Sequence, residues 1–553
     1  MPSRTLRAAA ASAAIVLLLL AATPGRGGGA AAQDKETVGP KPAGRTVVPV
    51  NQVVTPYGLT TTLPGMRPQA LALSPDGRLL AVSGKTPQLV ILDPVTLKVA
   101  QQVPLPAEAQ EEQHPEVVSP MILDPDTEGQ LSYTGLIFSP DGRRIYMTNV
   151  DGSIKVFSAL RDGTVEPSHT IPLPLAGAPR RAEEIPAGLA LSADGRQLFV
   201  CGNLSNRLLM IDTQEPSVVR AFDVGVAPFD VVLAAGKAYV SNWGGGRPKP
   251  GDVVGPAGQG VEVKVDPVRH IASEGSVSVV DLATGTVKVE IPVHLHASDL
   301  EASPDGRYVV CANAASDNLS VIDTTTDAVV ETIWTKASPA DLFGASPNAL
   351  AFSGNGKTLY VANGTQNAVA AIDFKPARRK SKLKGLVPAG WFPGALAVSS
   401  RHGKIFVANI KGLAAEKADY EAAGAQGFNS HQYTGSVTTF PEPRQKELWD
   451  LSTVVYANYR SERIAQAFLK PRANQPPRPV PERIGEPSVF KHVVYVIKEN
   501  RTYDQVLGDV ANGNGDPSLC IFGEAVTPNQ HKLVREFVLL DNTYCSGILS
   551  ADG

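Results

Sequence analysis

The stretch Ala70-Leu-Ala-Leu-Ser74-Pro-Asp-Gly-Arg78-Leu-Leu-Ala-Val82 decides the fold, because it recurs along the chain. It returns as Leu136-Ile-Phe-Ser139-Pro-Asp-Gly-Arg143-Arg-Ile-Tyr-Met-Thr-Asn149 and as Leu189-Ala-Leu-Ser192-Ala-Asp-Gly-Arg196-Gln-Leu-Phe-Val-Cys-Gly-Asn203. Further copies are Leu300-Glu-Ala-Ser303-Pro-Asp-Gly-Arg307-Tyr-Val-Val-Cys-Ala-Asn313 and Leu350-Ala-Phe-Ser353-Gly-Asn-Gly-Lys357-Thr-Leu-Tyr-Val-Ala-Asn363. Weaker copies run from Val231 to Asn242 and from Leu396 to Asn409, which makes seven. Asp-Gly is a tight hairpin turn, since Gly takes φ > 0 at little cost. The flanking runs are rich in Val, Leu, Ile and Tyr, as strands with buried faces are. A third strand in most copies ends in Asp, as at Ile91-Leu-Asp93, Ile211-Asp212-Thr213 and Ile322-Asp323-Thr324. Spacings between copies include 46 residues (Ser353 to Ser399) and 65 (Ser74 to Ser139). Four strands at this period build the blades of a propeller. Val47-Val-Pro-Val-Asn-Gln-Val-Val54 is the expected ring-closing strand.

The Tyr-Val-Ala-Asn and Ile-Asp-Thr wording resembles YVTN-type β-propeller repeats of secreted and surface proteins. That resemblance implies a seven-bladed propeller over residues 47–440 and is specific for fold. It says little about function, because propellers serve as binding platforms and as enzymes.

Composition narrows the classes further. The 553 residues are 43% hydrophobic and 19% charged, an ordinary globular balance with room for several domains. The 50 Gly and 45 Pro fit many short strands joined by turns. A net charge of -3 gives no electrostatic case for a nucleic acid or an anionic membrane as partner. Residues 1–32 read as an export signal: Arg4 and Arg7, an apolar run from Ala8 to Ala22, and Ala30-Ala-Ala32 before Gln33. The apolar run is short for a bilayer core of about 30 Å. A cleaved signal, followed by a flexible segment over 33–46, is therefore expected, with a soluble periplasmic, surface or secreted product. No transmembrane segment is expected after cleavage.

Two insertions interrupt the repeats, from Trp243 to about Glu274 and from Lys411 to Gln432. Long loops on one propeller face carry binding or are simply tolerated. His294 and His296 lie two apart, as metal ligands on one strand face would. The chain has nine His and no carboxylate cluster is evident near this pair, so exposed strand histidines are the plainer reading. Cys201 and Cys311 hold equivalent positions in two repeats and read as small core residues; Cys520 and Cys545 are close enough in sequence to pair. No CxxC occurs, so a thiol zinc site lacks support.

Residues 441–490 change character, with Pro441-Glu-Pro-Arg and Gln475-Pro-Pro-Arg-Pro-Val-Pro-Glu reading as linker around a helix expected over 451–469. From Lys491 the pattern becomes strand, loop, helix, strand. Val493–Ile497 reads as a buried strand, Thr527 caps a helix with Pro528 at its first position, and Phe537–Asn542 reads as the next strand. That alternation predicts a parallel sheet. The fold class is thus mainly β, a seven-bladed propeller followed by a truncated α/β segment over 491–553.

The run Val496-Ile-Lys-Glu499-Asn500-Arg-Thr-Tyr-Asp504, then Gly513-Asn-Gly-Asp-Pro-Ser518, Thr527-Pro-Asn529, Val538-Leu-Leu-Asp-Asn542 and Ser550-Ala-Asp-Gly553 resembles the phosphoesterase family of phospholipases C and acid phosphatases, in the alkaline phosphatase superfamily. The resemblance implies a divalent metal ion held by Glu499 and Asn500 and a phosphate ester substrate. It also implies a hydroxyl nucleophile, for which Ser550 is the candidate and Ser546 the rival. Hard oxygen ligands suit such a cation. Arg501 is a weak candidate for phosphate, and Asp504 reads as a turn cap. The family's later Asp and His ligands do not occur in this sequence, so the segment is expected to be the start of an incomplete domain, inactive as the chain stands. The leading expectation is an exported metal-dependent phosphoesterase whose propeller binds substrate, a protein or the cell envelope. A non-catalytic periplasmic or surface propeller is the alternative. A catalytic propeller of lactonase or quinoprotein type has no clustered acidic or histidine site to rest on.

Overall fold

A computed structural model of the chain describes residues 36–48, 52–84, 88–106, 134–338, 341, 344–413, 434–498 and 501–541. The chain divides into two units. Among the described residues, one holds those between 54 and 106 and between 134 and 455, and the other holds those between 36 and 53 and between 456 and 541.

In the first unit the repeats become seven four-stranded antiparallel sheets among the described residues. Blade 1 is Pro68–Leu73, Leu80–Gly84, Gln88–Leu92 and Val99–Pro104. The innermost strands of blades 2 to 7 are Leu136–Phe138, Pro186–Leu191, Pro228–Ala234, Ala297–Ala302, Pro347–Phe352 and Pro393–Ser399. Each innermost strand lies against the next, and Pro393–Ser399 lies against Pro68–Leu73, so the ring closes. Apolar clusters fill the spaces between blades. Leu71, Leu80 and Val82 of blade 1 pack on Phe406, Ala408 and Val437 of blade 7. Tyr146 and Val156 of blade 2 likewise meet Leu198 and Val200 of blade 3. Each Val, Leu or Phe among them contributes about 1.5–3 kcal/mol through burial.

The closing strand is Leu59–Leu63, which pairs with Gly435–Pro441 of blade 7. The sequence reading placed closure on Val47–Val54. In the structure Gly39–Lys41, Arg45–Val47 and Val53–Val54 form a small sheet of their own.

The Ser-Pro-Asp-Gly-Arg turn is a hydrogen-bonded unit. Ser74 Oγ donates to Asp76 Oδ1 at 2.7 Å, and the Leu79 N–H donates to Ser74 Oγ at 2.9 Å. Ser139 with Asp141, Ser192 with Asp194, and Ser303 with Asp305 repeat the first bond at 2.6 Å. Gly77, Gly142, Gly195 and Gly306 all have positive φ, which explains the glycine. In blades 2 and 4 to 7 the second strand ends in Asn, and in blades 5 and 7 this Asn is an internal tie. Asn409 Nδ2 donates to Ser436 Oγ at 3.1 Å and to Thr438 Oγ1 at 3.0 Å, and Asn313 Nδ2 donates to Ser320 Oγ at 3.0 Å.

The expected helix near 451–469 is found as two, Gln445–Asn458 and Ser461–Ala467. Leu448 of the first joins the apolar cluster of blades 6 and 7. Ser452 Oγ accepts the Leu386 N–H at 2.8 Å, so this helix packs on Lys382–Pro388, the outermost strand of blade 6. The insertion inside blade 4 folds as a hairpin, Val254–Gly258 with Val261–Lys264. Most of the insertion in blade 7 lies outside the described residues.

In the second unit the helix Pro528–Glu536 forms with Thr527 at the N-cap position and Pro528 in its first turn, as expected, but the Thr527 hydroxyl makes no capping bond and donates to the Phe522 carbonyl at 2.7 Å. The two flanking strands do not form. Val493–Ile497 is unpaired among the described residues and 75–86% exposed, and Phe537, Val538 and Leu540 are exposed as well. The expected parallel sheet is absent among the described residues because neither run has a neighbouring strand to pair with or a face to pack on.

Candidate functional site

Glu499, Asn500, Ser546 and Ser550 lie outside the described residues. Arg501 is described and exposed, and its guanidinium sits 5.2 Å from the centre of the Phe522 ring. It is engaged within its own segment. Next to it, Thr502 caps the short helix Tyr503–Leu507 through a capping box with Gln505. Asp504 Oδ1 accepts the Asp516 N–H at 2.8 Å, which ties the Gly-Asn-Gly-Asp loop to that helix. This is the turn-capping role read from sequence. Buried His531 closes the knot: its Nε2 lies 2.7 Å from Asp509 Oδ1 and its Nδ1 3.0 Å from Thr527 Oγ1. The bond to His531 holds the Asp509 carboxyl down at about 2. Polar bonds thus give the segment after Asn500 a defined loop geometry while its apolar runs stay exposed.

His294 and His296 do not converge on one point. Both follow the strand Thr286–Val293 in a bend, and His296 has φ 54°. His296 stacks on Trp243 at 5.7 Å, and Trp243 stacks on Phe229 at 4.6 Å. His294 instead lines a shallow cleft of about 320 Å³ with Glu274, Ser316 and Ser320. The two histidines serve separate neighbourhoods. Cys201 and Cys311 are buried free thiols, as expected. Cys545 lies outside the described residues, and with it the suggested bond to Cys520.

The expectation that the propeller lacks a carboxylate cluster is corrected by the ring. Six innermost strands carry a bulge just after their first residue. The residue two after the first of each strand is Ala70, Gly188, Asp230, Asp299, Ala349 or Ala395. The two aspartates fall in consecutive blades, and Glu301 follows two residues after Asp299. Asp230 Oδ2 accepts the Leu300 N–H of blade 5 at 2.9 Å, and Asp299 Oδ2 accepts the Leu350 N–H of blade 6 at 2.7 Å. Glu301 accepts the Phe352 N–H. Gly188 makes room: a Cβ there would sit 2.2 Å from Asp230 Oδ1. Burial, joined at Asp299 and Glu301 by repulsion from neighbouring carboxylates, pushes all three carboxyls up, Glu301 to about 8. Sequence reasoning missed this group because it is split between two repeats; the visible signal was Asp where other repeats carry Ala or Gly.

No family model matches the chain. Over 204 residues it is 25% identical to the seven-bladed beta-propeller protein Rv1057 of Mycobacterium tuberculosis, a match covering 36% of this chain and 42% of that protein. The matched region thus spans less than half of the relative's length. Among solved structures, a Kuenenia stuttgartiensis hydrazine synthase chain aligns with TM-score 0.45 and 20% identity, covering 64% of this chain and 94% of that one. U3-55K aligns with TM-score 0.47 and 10% identity, covering 69% and 98%. The closed ring of four-stranded sheets and the Mycobacterium relative agree on one architecture: the first unit is a seven-bladed β-propeller.

Proposed function

We propose that the propeller is the binding platform of an exported, metal-dependent phosphoesterase, and that residues 491–553 are the leading part of its catalytic domain. The observation that carries this reading is the run of motifs from Val496 to Gly553, in one order and over one short stretch. Two exposed apolar runs flanking a polar knot fit it, since they are what an α/β sheet takes up as strands. Glu499 and Asn500 offer oxygen donors of the kind a divalent cation prefers. They are two, and among the described residues no group of three His, Cys, Asp or Glu is placed to hold a metal. The remaining ligands of the resembling family would have to come from elsewhere in the catalytic domain. The cation would polarise phosphoryl oxygens and activate a hydroxyl, with Ser550 the candidate nucleophile and Ser546 its rival. Arg501 in this reading orients the loop through Phe522.

The test is hydrolysis of a chromogenic phosphate diester and monoester by protein made from the complete reading frame. Activity lost on chelation, and lost in Glu499→Ala and Ser550→Ala, supports the reading. Unchanged activity in Glu499→Ala overturns the site assignment. A folded, inert protein that retains a binding partner favours the second reading, a non-catalytic propeller scaffold; the name of the Mycobacterium relative, which states only a propeller, favours it too.

A further inference from the structure

The chain carries a net charge of -3, yet one turn of the ring is strongly basic. In blade 6 the third strand, Ala368–Asp373, returns to the outermost strand, Lys382–Pro388, through Phe374-Lys-Pro-Ala-Arg-Arg-Lys-Ser381. The corresponding turns of blades 1 to 5 span 93–98, 160–164, 213–216, 282–285 and 324–327, and each has a charge of zero or -1.

The blade 6 turn is built to hold its charge outward. Phe374 is buried, meeting Phe352 edge-on at 4.9 Å and Tyr308 at 6.0 Å, and Pro376 is buried as well. Backbone bonds shape the rest. The Arg378 N–H donates to the Lys375 carbonyl at 3.1 Å, the Arg379 N–H to the Pro376 carbonyl at 2.8 Å, and the Lys375 N–H to Ser381 Oγ at 2.8 Å. Arg379 is held at φ 49°, a left-handed conformation that persists in an arginine only where its surroundings impose it. Arg378, Arg379, Lys380 and Lys382 are exposed, and so is Lys357, whose carbonyl accepts the Phe374 N–H at 3.0 Å. Among the described residues none of these five cations forms an ion pair. The bordering acids are engaged: Asp373 pairs with Lys375 at 2.6 Å, and Glu331 of blade 5 accepts the Ser381 N–H at 2.9 Å. Like charges held together repel, and an anionic surface relieves them.

An apolar anchor lies along the same strand. The helix Gln445–Asn458 packs on Lys382–Pro388, and Trp449, next to buried Leu448, is 57% exposed. Clustered cations attract anionic head groups, and tryptophan favours the interface between head groups and acyl chains. A single-stranded nucleic acid would instead call for exposed rings on which bases stack, and the one ring of this turn is buried.

We propose that the blade 6 turn is a docking surface for a bilayer rich in anionic lipid, with Lys357, Arg378, Arg379, Lys380 and Lys382 meeting the head groups. The proposal does not depend on the phosphoesterase reading, because docking is measured without hydrolysis.

The full chain is floated with vesicles of phosphatidylcholine alone and with vesicles of phosphatidylcholine and phosphatidylglycerol in equal parts. The exposed apolar runs of the second unit meet both kinds alike, so the readout is the difference between them. The chain is expected to partition onto the anionic vesicles at low salt and to leave them as salt rises. Each cation removed is expected to weaken that partition about fivefold, so Arg378→Gln with Lys380→Gln lowers it roughly 25-fold. Arg378→Glu, Arg379→Glu and Lys380→Glu together are expected to abolish the difference between vesicles. A matched triple reversal at the other end of the blades, Arg180→Glu, Lys249→Glu and Arg269→Glu, is expected to keep it. The paired Gln variant, which leaves Arg379 in place, decides the matter if the triple variant does not fold. Equal partition onto both kinds of vesicle overturns the proposal, as does an equal loss in the two triple variants. Tighter binding of a single-stranded oligonucleotide than of anionic vesicles, lost in the same variants, overturns it in favour of a nucleic acid.

Discussion

Two stretches of nearly the same wording meet opposite fates. Leu359-Tyr360-Val361 in blade 6 is 0–3% exposed, whereas Val494-Tyr495-Val496 in the second unit is 76–86% exposed. Composition and strand propensity are alike. The difference is neighbours: the first run pairs with Ala371, Ile372 and Ala370 on one side and with Phe352, Ala351 and Leu350 on the other. The second has no strand on either side among the described residues. β-Propensity is a statement about fit to a sheet, and it is realised only where the sheet exists.

The sharpest way to test this contrast is to remove packing in the ring. Phe406→Ala empties a fully buried site between blades 7 and 1 and is expected to cost about 3–5 kcal/mol. All four Trp lie in the first unit, at 243, 334, 391 and 449, so urea unfolding followed by their fluorescence reads the ring. A loss under about 1 kcal/mol means that the blade interface is looser than the burial of Phe406 implies.

Next comes the polar tie within a blade. Asn409→Ala removes the donor to Ser436 and Thr438, leaves their oxygens buried, and is expected to cost about 1–3 kcal/mol in the same assay.

Smaller still is the turn. Asp141→Ala is expected to cost about 1 kcal/mol by deleting its bonds from Ser139 and the Arg143 N–H. Those bonds hold the Asp141 carboxyl below its ordinary value. Its contribution is therefore present above the usual carboxylate range and fades as pH falls below it. Wild type and variant should converge in stability on acidification, and a gap that persists at low pH refutes the assigned role.

The least effect belongs to the exposed run. Tyr495→Ser is expected to change ring stability by less than about 0.5 kcal/mol. A larger loss breaks the comparison, because it shows Tyr495 packed against something.

The same contrast explains what was legible beforehand. The Ser-Pro-Asp-Gly-Arg turn was readable because its hydrogen bonds join residues no more than five apart, so five letters specify the geometry. The blade count followed from the repeats. The Pro528–Glu536 helix was readable from Thr527 and Pro528, again a local signal. The closing strand was misplaced because Val47–Val54 is the more apolar run, whereas Leu59-Thr-Thr-Thr-Leu63 is partly exposed and its placement depends on a partner far along the chain. The carboxyl trio was invisible because its members meet only when separate blades are set side by side. The exposure of Val493–Ile497 was missed because apolarity states what a strand needs and not whether it is supplied.

The closing strand also sets a timetable. Thr60 faces Thr438, 378 residues later. At a synthesis rate of about 5–20 residues per second, the first partner waits roughly 20–75 s for the second. For that interval Leu59–Leu63 is an unclaimed edge beside apolar blades already able to collapse. Three consecutive threonines form a ladder as well as valines do, yet offer a stray strand far less to bury. The polarity that concealed this strand in the sequence thus works as a delay-tolerant latch, kept from the wrong partner until the last blade arrives.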